Sequence, residues 1–225
     1  MNPNIAIAIL LTTFVLLIMI KCPITFSMII STAFTMLYIQ VPVMTLVQQM
    51  SKQLNSFSLL AIPFFILMGE IMAAGGISSR LLAFANVCVG QITGGLAHVN
   101  VLASMLFGGI SGSAIADVSS LGALEIPMME EAGYEKDFSI AVTVASSCQG
   151  LIIPPSHNMV IYATAAGGVS VGALFMAGYI PGALLAVSLM IGSYIISVKR
   201  NYPKGEAFDI KVFLRQLSKS FWALA

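Results

Sequence analysis

The feature that most constrains this chain is a long stretch without charge, because residues 138–198 contain no Asp, Glu, Lys or Arg. Charged residues make up only 8% of the 225-residue chain, compared with about 25% in soluble domains, and 58% of the residues are hydrophobic. A helix needs roughly 20 apolar residues to cross a membrane. The sequence therefore predicts an all-α, multi-pass membrane protein.

The same composition argues against several classes of function. The net charge is +1, so the chain offers nucleic acid no basic surface. It contains no glycine-rich phosphate loop followed by Lys-Ser or Lys-Thr, and it does not resemble an ATPase. Cys22, Cys88 and Cys148 stand singly, without the spacing of a metal site or a disulfide framework.

The apolar segments predict helices in a definite order along the chain. The first part gives spans over 5–20, 24–38 and 54–74, a surface helix over 43–53, and an interfacial arm over 78–92. The second part gives two pairs of half-helices, the first over 96–107 and 114–124 and the second over 138–150 and 156–166. A last span follows over 182–198, and a proline and a glycine separate it from a short preceding segment. Residues 125–137 carry five acids and one lysine, and we expect them to lie in water.

A turn of small residues interrupts the apolar sequence at 108–117, Gly-Gly-Ile-Ser-Gly-Ser-Ala-Ile-Ala-Asp. Each unpaired backbone group in lipid costs several kcal/mol, so a break there requires cover from protein or a watery cavity. We expect a re-entrant helical hairpin in which Asp117 lies one helical turn beyond Ser113. An intramembrane carboxylate is by default a hypothesis for a functional site. The alternative is a loop outside the membrane with a solvated Asp117.

Pro154 and Pro155 predict a second break, which makes the helix that contains them discontinuous. Paired breaks are typical of secondary transporters, in which free carbonyls and helix ends bind ions. A simple kink at the prolines is the alternative. The oxygen-rich breaks suit sodium, and we expect these ligands: Ser111, Ser113 and the carbonyls of Gly150 and Ile153, with Asp117 as a nearby charge.

Three polar residues, Ser156, His157 and Asn158, follow the proline break. The N-terminus of the next half-helix favours an acidic ligand by roughly 0.3–2 kcal/mol. Asn158 can both donate and accept hydrogen bonds, which suits a polyhydroxylated acid, and a protonated His157 would add charge. We therefore expect these residues to contact substrate. The alternative is that His157 and Asn158 bond to the hairpin tip and hold the two breaks together.

The basic residues predict the orientation, because cytoplasmic loops are enriched in Lys and Arg. If the N-terminus is periplasmic, nine of the ten Lys and Arg residues fall on the cytoplasmic side and only Lys52 falls outside. We therefore expect a periplasmic N-terminus and a hairpin that opens towards the cytoplasm.

Four motifs together resemble the large membrane subunit of the tripartite ATP-independent periplasmic (TRAP) transporters. They are Phe-Phe-Ile-Leu-Met-Gly at 64–69, the turn at 108–117, Ile-Ile-Pro-Pro-Ser at 152–156 and Ala-Gly-Tyr-Ile-Pro-Gly at 177–182. The resemblance implies one inverted repeat of an elevator-type, sodium-coupled symporter in the bacterial inner membrane. It also implies lipid contacts, a small membrane subunit, a periplasmic substrate-binding protein, and an organic acid such as sialic acid, another sugar acid or a C4-dicarboxylate as substrate.

The resemblance also implies a sodium site at Ser111, Ser113, Gly150, Ile153 and Pro155, and it matches Asp117 to an acidic hairpin residue. It implies scaffold helices over 1–77, an arm over 78–92, transport elements over 93–177, a scaffold helix over 178–200, and a linker with the start of a second repeat over 201–225. The family's subunit is about twice as long as this chain. We therefore expect the chain to be the first half of such a subunit.

Two other classes of function compete with a transporter. An intramembrane hydrolase needs paired carboxylates or a serine with a base, and His157 is the sole plausible base for Ser111 or Ser113. A channel for ions or solutes is the second competing class of function. We expect no enzyme activity.

Overall fold

The computed structural model describes residues 2–55, 57–205 and 207–224. Within these residues every element is helical, apart from an isolated antiparallel bridge between Thr93 and Lys204. The all-α prediction is therefore confirmed. Residues 206 and 225, which belong to the expected linker 201–225, lie outside the described residues.

The chain divides into two compact units, and the first, Met1–Ser56, holds three helices: α1 (Pro3–Met19), α2 (Ile24–Tyr38) and α3 (Met44–Leu54). α1 and α2 pack against each other, and Ser27 and Ser31 of α2 are buried. These two helices have 17 and 15 residues. They are therefore about 26 and 23 Å long, close to the lower limit for a hydrocarbon layer of about 30 Å.

The second unit, Phe57–Ala225, is built around one helix, α6. Its elements are α4 (Phe57–Ala74), α5 (Ile77–Val89), α6 (Gly95–Ser111), α7 (Ala114–Ser120), α8 (Gly122–Glu131), α9 (Lys136–Ser147), a 3-10 turn (Cys148–Leu151), α10 (His157–Ala166), α11 (Val171–Lys199) and α12 (Ile210–Leu224). Ala97 and Val101 of α6 join one apolar cluster, and Val99, Ala103 and Phe107 join another. Because α6 contributes to both apolar clusters, it lies in the interior of this unit.

α11 is the one described helix that is both long and apolar enough to cross a membrane by itself. A second span results if Leu59–Met72 and Ile77–Val89, which bend by 72°, cross together, and α1, α2 and α6 are shorter apolar helices. The expected break at Pro181 and Gly182 was wrong, because α11 runs through both for 29 residues. Gly182 instead packs directly against the Ile153 side chain, where a larger residue would not fit.

An aromatic cluster holds the end of α11 against the turn between α8 and α9. The ring of Tyr202 lies 4.4 Å from that of Tyr134 and 5.3 Å from that of Phe138. The backbone N–H of Glu135 donates to the Tyr202 hydroxyl (3.3 Å), and the Glu135 carboxylate pairs with Arg200 at 2.5 Å. These residues lie close in the sequence to Lys136 and Lys199, whose charges are predicted to be cytoplasmic.

Candidate functional site at the α6–α7 turn and the α9–α10 break

The turn between α6 and α7 is formed by a glycine and two serines. Gly112 ends α6 with a left-handed backbone (φ +62°), and its N–H donates to the Gly108 carbonyl at 2.9 Å. The Ser113 hydroxyl then caps α7 by accepting from the Ala116 N–H at 3.3 Å. The Ser113 N–H lies 3.4 Å from the Ser111 hydroxyl oxygen, to which it donates. The predicted helix–turn–helix is present, and the two hydroxyl oxygens are part of the turn.

The second break separates α9 from α10, as the prolines predict. After the 3-10 turn, the N–H groups of Ile152 and Ile153 both donate to the Gln149 carbonyl, at 3.0 and 2.8 Å. The Ser156 hydroxyl donates back to the Leu151 carbonyl at 2.6 Å. The peptide between the two prolines is cis. α10 then begins without a side chain that caps its N-terminus.

The turn and the break meet through their backbones. A Cβ atom on Gly108 would stand 2.6 Å from the Cα atom of Gly150, and one on Gly112 would stand 2.5 Å from the Pro155 carbonyl oxygen. A Cβ on Gly150 would lie 3.5 Å from the Ser113 carbonyl carbon. The fold therefore brings together four of the five residues predicted to bind sodium. It also places the fifth, Ile153, close by, with its side chain 3.5 Å from the Cβ position of Gly109.

Asp117 is buried beside α6. Its exposed fraction is 1%, and neither carboxylate oxygen has a hydrogen-bond partner among the described residues. Asp117 interacts with Ser104 on α6, which lies two turns before Ser111. The predicted intramembrane carboxylate is therefore buried within protein, and the alternative of a solvated Asp117 is wrong for this structure.

The burial of Glu125 shows that one expectation was wrong, since the sequence analysis placed residues 125–137 in water. Its exposed fraction is 1%, both of its oxygens are buried without a partner among the described residues, and its charge interacts with that of Asp117. The reason is helical spacing: Asp117, Leu121, Glu125 and Met129 recur every four residues and form the buried face of α7 and α8. The charge cluster is therefore not one exposed patch.

A polar network between α6 and α9 was missed by the sequence analysis. The Asn100 amide nitrogen donates to the Thr143 hydroxyl at 2.7 Å, and the Asn100 oxygen accepts from the Ser146 hydroxyl at 2.5 Å. Ser104 and Ser146 are hydrogen-bonded at 3.2 Å. The spacing of small and polar residues could have predicted this network, because such residues recur every three or four positions on both segments and face each other. They are Asn100, Ser104, Gly108 and Ser111 on α6, and Ser139, Thr143, Ser146 and Gly150 on α9 and the following turn.

The three residues predicted to bind substrate differ in exposure. Ser156 is fully buried and its hydroxyl is used within the break. His157 is half-buried, with its ring 5.8 Å from that of Phe65 and its Nε2 atom without a partner among the described residues. Asn158 is exposed in the first turn of α10. Contact with substrate stays a prediction, and Asn158 is the best placed of the three for it.

Comparison with known proteins identifies related sequences over nearly the whole chain. The family described as "Tripartite ATP-independent periplasmic transporter, DctM component" matches residues 11–225. The sialic acid TRAP transporter large permease protein SiaM of Vibrio cholerae is 46% identical over 203 residues, which cover 90% of this chain. The C4-dicarboxylate TRAP transporter large permease protein DctM of Pseudomonas aeruginosa is 44% identical over 168 residues, or 75% of this chain.

A third relative carries a different substrate in its name. The 2,3-diketo-L-gulonate TRAP transporter large permease protein YiaN of Escherichia coli is 35% identical over 208 residues, or 92% of this chain. The aligned regions cover 47%, 39% and 49% of these three relatives. The chain therefore spans about half of their length or less, and these three relatives are named as permeases rather than enzymes.

Proposed function

Because the chain belongs to the DctM component family of the tripartite ATP-independent periplasmic transporters, we propose that it forms half of a sodium-coupled permease for an organic acid. The complete subunit would work in the bacterial inner membrane with a small membrane subunit and a periplasmic binding protein. The observation that supports this most is the backbone contact between the turn and the break, at Gly108 and Gly150. Two interrupted helices that meet inside a membrane protein are typical of ion-coupled transporters.

Sodium is the cation that we propose for this contact. The backbone of the turn that carries Ser111 and Ser113 lies against Gly150, and the Pro155 carbonyl oxygen lies close to Gly112, so the two hydroxyl oxygens would supply ligands beside these backbone groups. A cluster of neutral oxygens suits a hard monovalent cation. Ile153 would add a further carbonyl, and Asp117 would supply negative charge one turn away.

The substrate would bind at the N-terminus of α10. This helix has no side-chain cap, and its positive end attracts a carboxylate by roughly 0.3–2 kcal/mol. The named substrates of the relatives, sialic acid, a C4-dicarboxylate and diketogulonate, are organic acids. Asn158 would form hydrogen bonds with the polar groups of such an acid, and His157 lies beside it in the sequence.

The transport cycle that we propose is an elevator movement, in which the turn and the break cross the membrane as one body while the helices of residues 1–77 stay in place. The turn would then be re-entrant and open towards the cytoplasm. The backbone contact at Gly108 supports a rigid body, because the two breaks have no room to slide past each other.

Uptake by proteoliposomes tests the proposal. The complete permease, its small subunit and its binding protein should accumulate substrate only with an inward sodium gradient, and Asp117→Asn should raise the sodium concentration needed for half-maximal uptake. Ser111→Ala and Ser113→Ala should act in the same direction but more weakly, since each removes one neutral ligand. A channel would not accumulate substrate against a gradient, and a hydrolase would turn substrate over without one. Either result would reject the proposal.

A further inference from the structure

Gln149 is a buried amide at the point where α9 passes into the 3-10 turn. Its side chain is fully buried, and its Nε2 atom donates to the Val101 carbonyl of α6 at 3.2 Å. Its Oε1 atom is buried without a hydrogen-bond partner among the described residues. A carbonyl can only accept, so the amide nitrogen and not the amide oxygen must face Val101. One donated hydrogen bond therefore sets the orientation of this amide and ties it to α6.

The backbone carbonyl of the same residue shapes the break. It accepts from the N–H groups of Ile152 and Ile153, at 3.0 and 2.8 Å, and so uses both of its lone pairs. These two bonds close residues 149–153 into a compact turn. Gly150 and Ile153, two of the residues that we propose to bind sodium through their carbonyls, belong to this turn. The position of both carbonyls therefore depends on where Gln149 is held.

The break is attached to α6 at two separate points. The first is the hydrogen bond to the Val101 carbonyl. The second is the backbone contact at Gly108, where a Cβ atom would stand 2.6 Å from the Gly150 Cα atom and 3.6 Å from the Gln149 carbonyl carbon. Val101 and Gly108 are seven residues apart on one helix, or about 10 Å along its axis. One contact would leave the turn free to tilt, whereas two contacts at this separation fix its angle to α6.

A comparison with Asn100 shows what is particular to Gln149. Both residues are fully buried amides between α6 and α9. The Asn100 amide bonds to the hydroxyls of Thr143 and Ser146, which lie on α9 before the break. Loss of the Asn100 amide should therefore lower stability without moving the turn at 149–153. Loss of the Gln149 amide releases that turn from α6.

We propose that Gln149 is a positioning residue of the sodium site. Its amide nitrogen holds the 3-10 turn at the angle at which the carbonyls of Gly150 and Ile153 meet the ion, to which Ser111 and Ser113 contribute their hydroxyl oxygens. Gln149 acts through the two carbonyls and does not touch the ion. The inference deepens the proposed function and rests on it.

Sodium binding by the complete purified permease, and uptake after reconstitution with its small subunit and binding protein, test this role. Gln149→Met keeps the length of the side chain and removes the donor. It should raise the sodium concentration for half-maximal ²²Na⁺ binding and half-maximal uptake by about three- to tenfold, the size of one lost hydrogen bond. The number of ions bound at saturating sodium and the maximal uptake rate should stay the same, because every ligand is still present. Gln149→Asn keeps the amide but is one methylene too short to reach Val101, and it should give the same shift.

Asn100→Ala is the matched control, and the melting temperature of each variant measures its stability. Asn100→Ala should lower the melting temperature at least as much as Gln149→Met does, while the sodium concentration for half-maximal binding stays unchanged. Unchanged sodium affinity in either folded Gln149 variant would overturn the inference. An equal loss of affinity in Asn100→Ala would also overturn it, because the effect would then follow stability alone.

The unmodified permease separates failure of this inference from failure of the proposed function. If it binds sodium and uses the sodium gradient while the Gln149 variants behave as it does, the proposed function stands and only the positioning role is rejected. If the unmodified permease neither binds sodium nor uses its gradient, the proposed function is rejected together with the inference.

Discussion

Gly108 and Gly150 lie in backbone contact, so that the first Cβ atom added to Gly108 would stand 2.6 Å from the Cα of Gly150. The atoms that this Cβ would meet belong to the backbone, so they cannot rotate away as the end of a side chain could. The contact fixes the distance between the two interrupted helices and allows the oxygens around them to converge. Small residues at this point are therefore a requirement of the site.

Replacing Gly108 by Ala should separate the turn from the break. We expect the free energy of unfolding to fall by about 1–3 kcal/mol, as for overpacking of a tight interior, and sodium affinity to fall with it. Gly192→Ala is the control, because this glycine of α11 has no atom near its Cβ position and alanine is the better helix former. Thermal melts of the detergent-solubilised permease measure both variants. Equal melting temperatures for the two would show that the contact is not tight.

Asn100 should contribute to stability through its side-chain hydrogen bonds with Thr143 and Ser146. It is fully buried. Asn100→Ala leaves the hydroxyls of Thr143 and Ser146 without their amide partner, and we expect the free energy of unfolding to fall by about 1–3 kcal/mol. Thr164→Ala is the comparison, since the Thr164 hydroxyl donates to the Val160 carbonyl of its own helix at 2.8 Å, and its loss should change the free energy of unfolding by less than about 0.5 kcal/mol. A similar small effect at Asn100 would mean that the network is energetically neutral.

Much of this arrangement could be predicted from the sequence. The glycines and prolines mark both breaks, because they are residues that end helices, and the apolar segments locate the helices. The burial of Glu125 could not be predicted from the local charge density, since it depends on which helix face packs against α9. The Asn100 network could not be predicted either, because hydrogen bonds between helices depend on a register that only the fold determines.

Asn158 should influence which acid is transported. It is exposed in the first turn of α10, where its amide can both donate and accept. Asn158→Ala should change the order of preference among several organic acids in proteoliposome uptake. If all acids are instead transported more slowly by the same factor, Asn158 only supports the break, and the substrate lies elsewhere.

Labelling decides the orientation of the chain. Cysteines placed at Asn4 and Lys204 should differ in their reaction with a membrane-impermeant reagent added to cells with a permeabilised outer membrane. We expect the cysteine at position 4 to react and the one at 204 to be protected, because nine of the ten Lys and Arg residues would then be cytoplasmic. The opposite labelling pattern would mean that the chain has the reverse orientation and that the hairpin opens towards the periplasm.

The continuity of α11 has a mechanical consequence. At Gly178 this helix lies against the Ile152 carbonyl and the Met159 methyl group, at Gly182 it lies against Ile153, and just past its end Tyr202 is held in the aromatic cluster. A 29-residue helix is about 43 Å long and does not bend easily. One continuous helix therefore connects the break to the turn between α8 and α9, and we expect a shift of the break to be transmitted to that turn. The boundary that the resemblance implies, between transport elements up to 177 and a scaffold helix from 178, falls inside this continuous helix and stays a prediction.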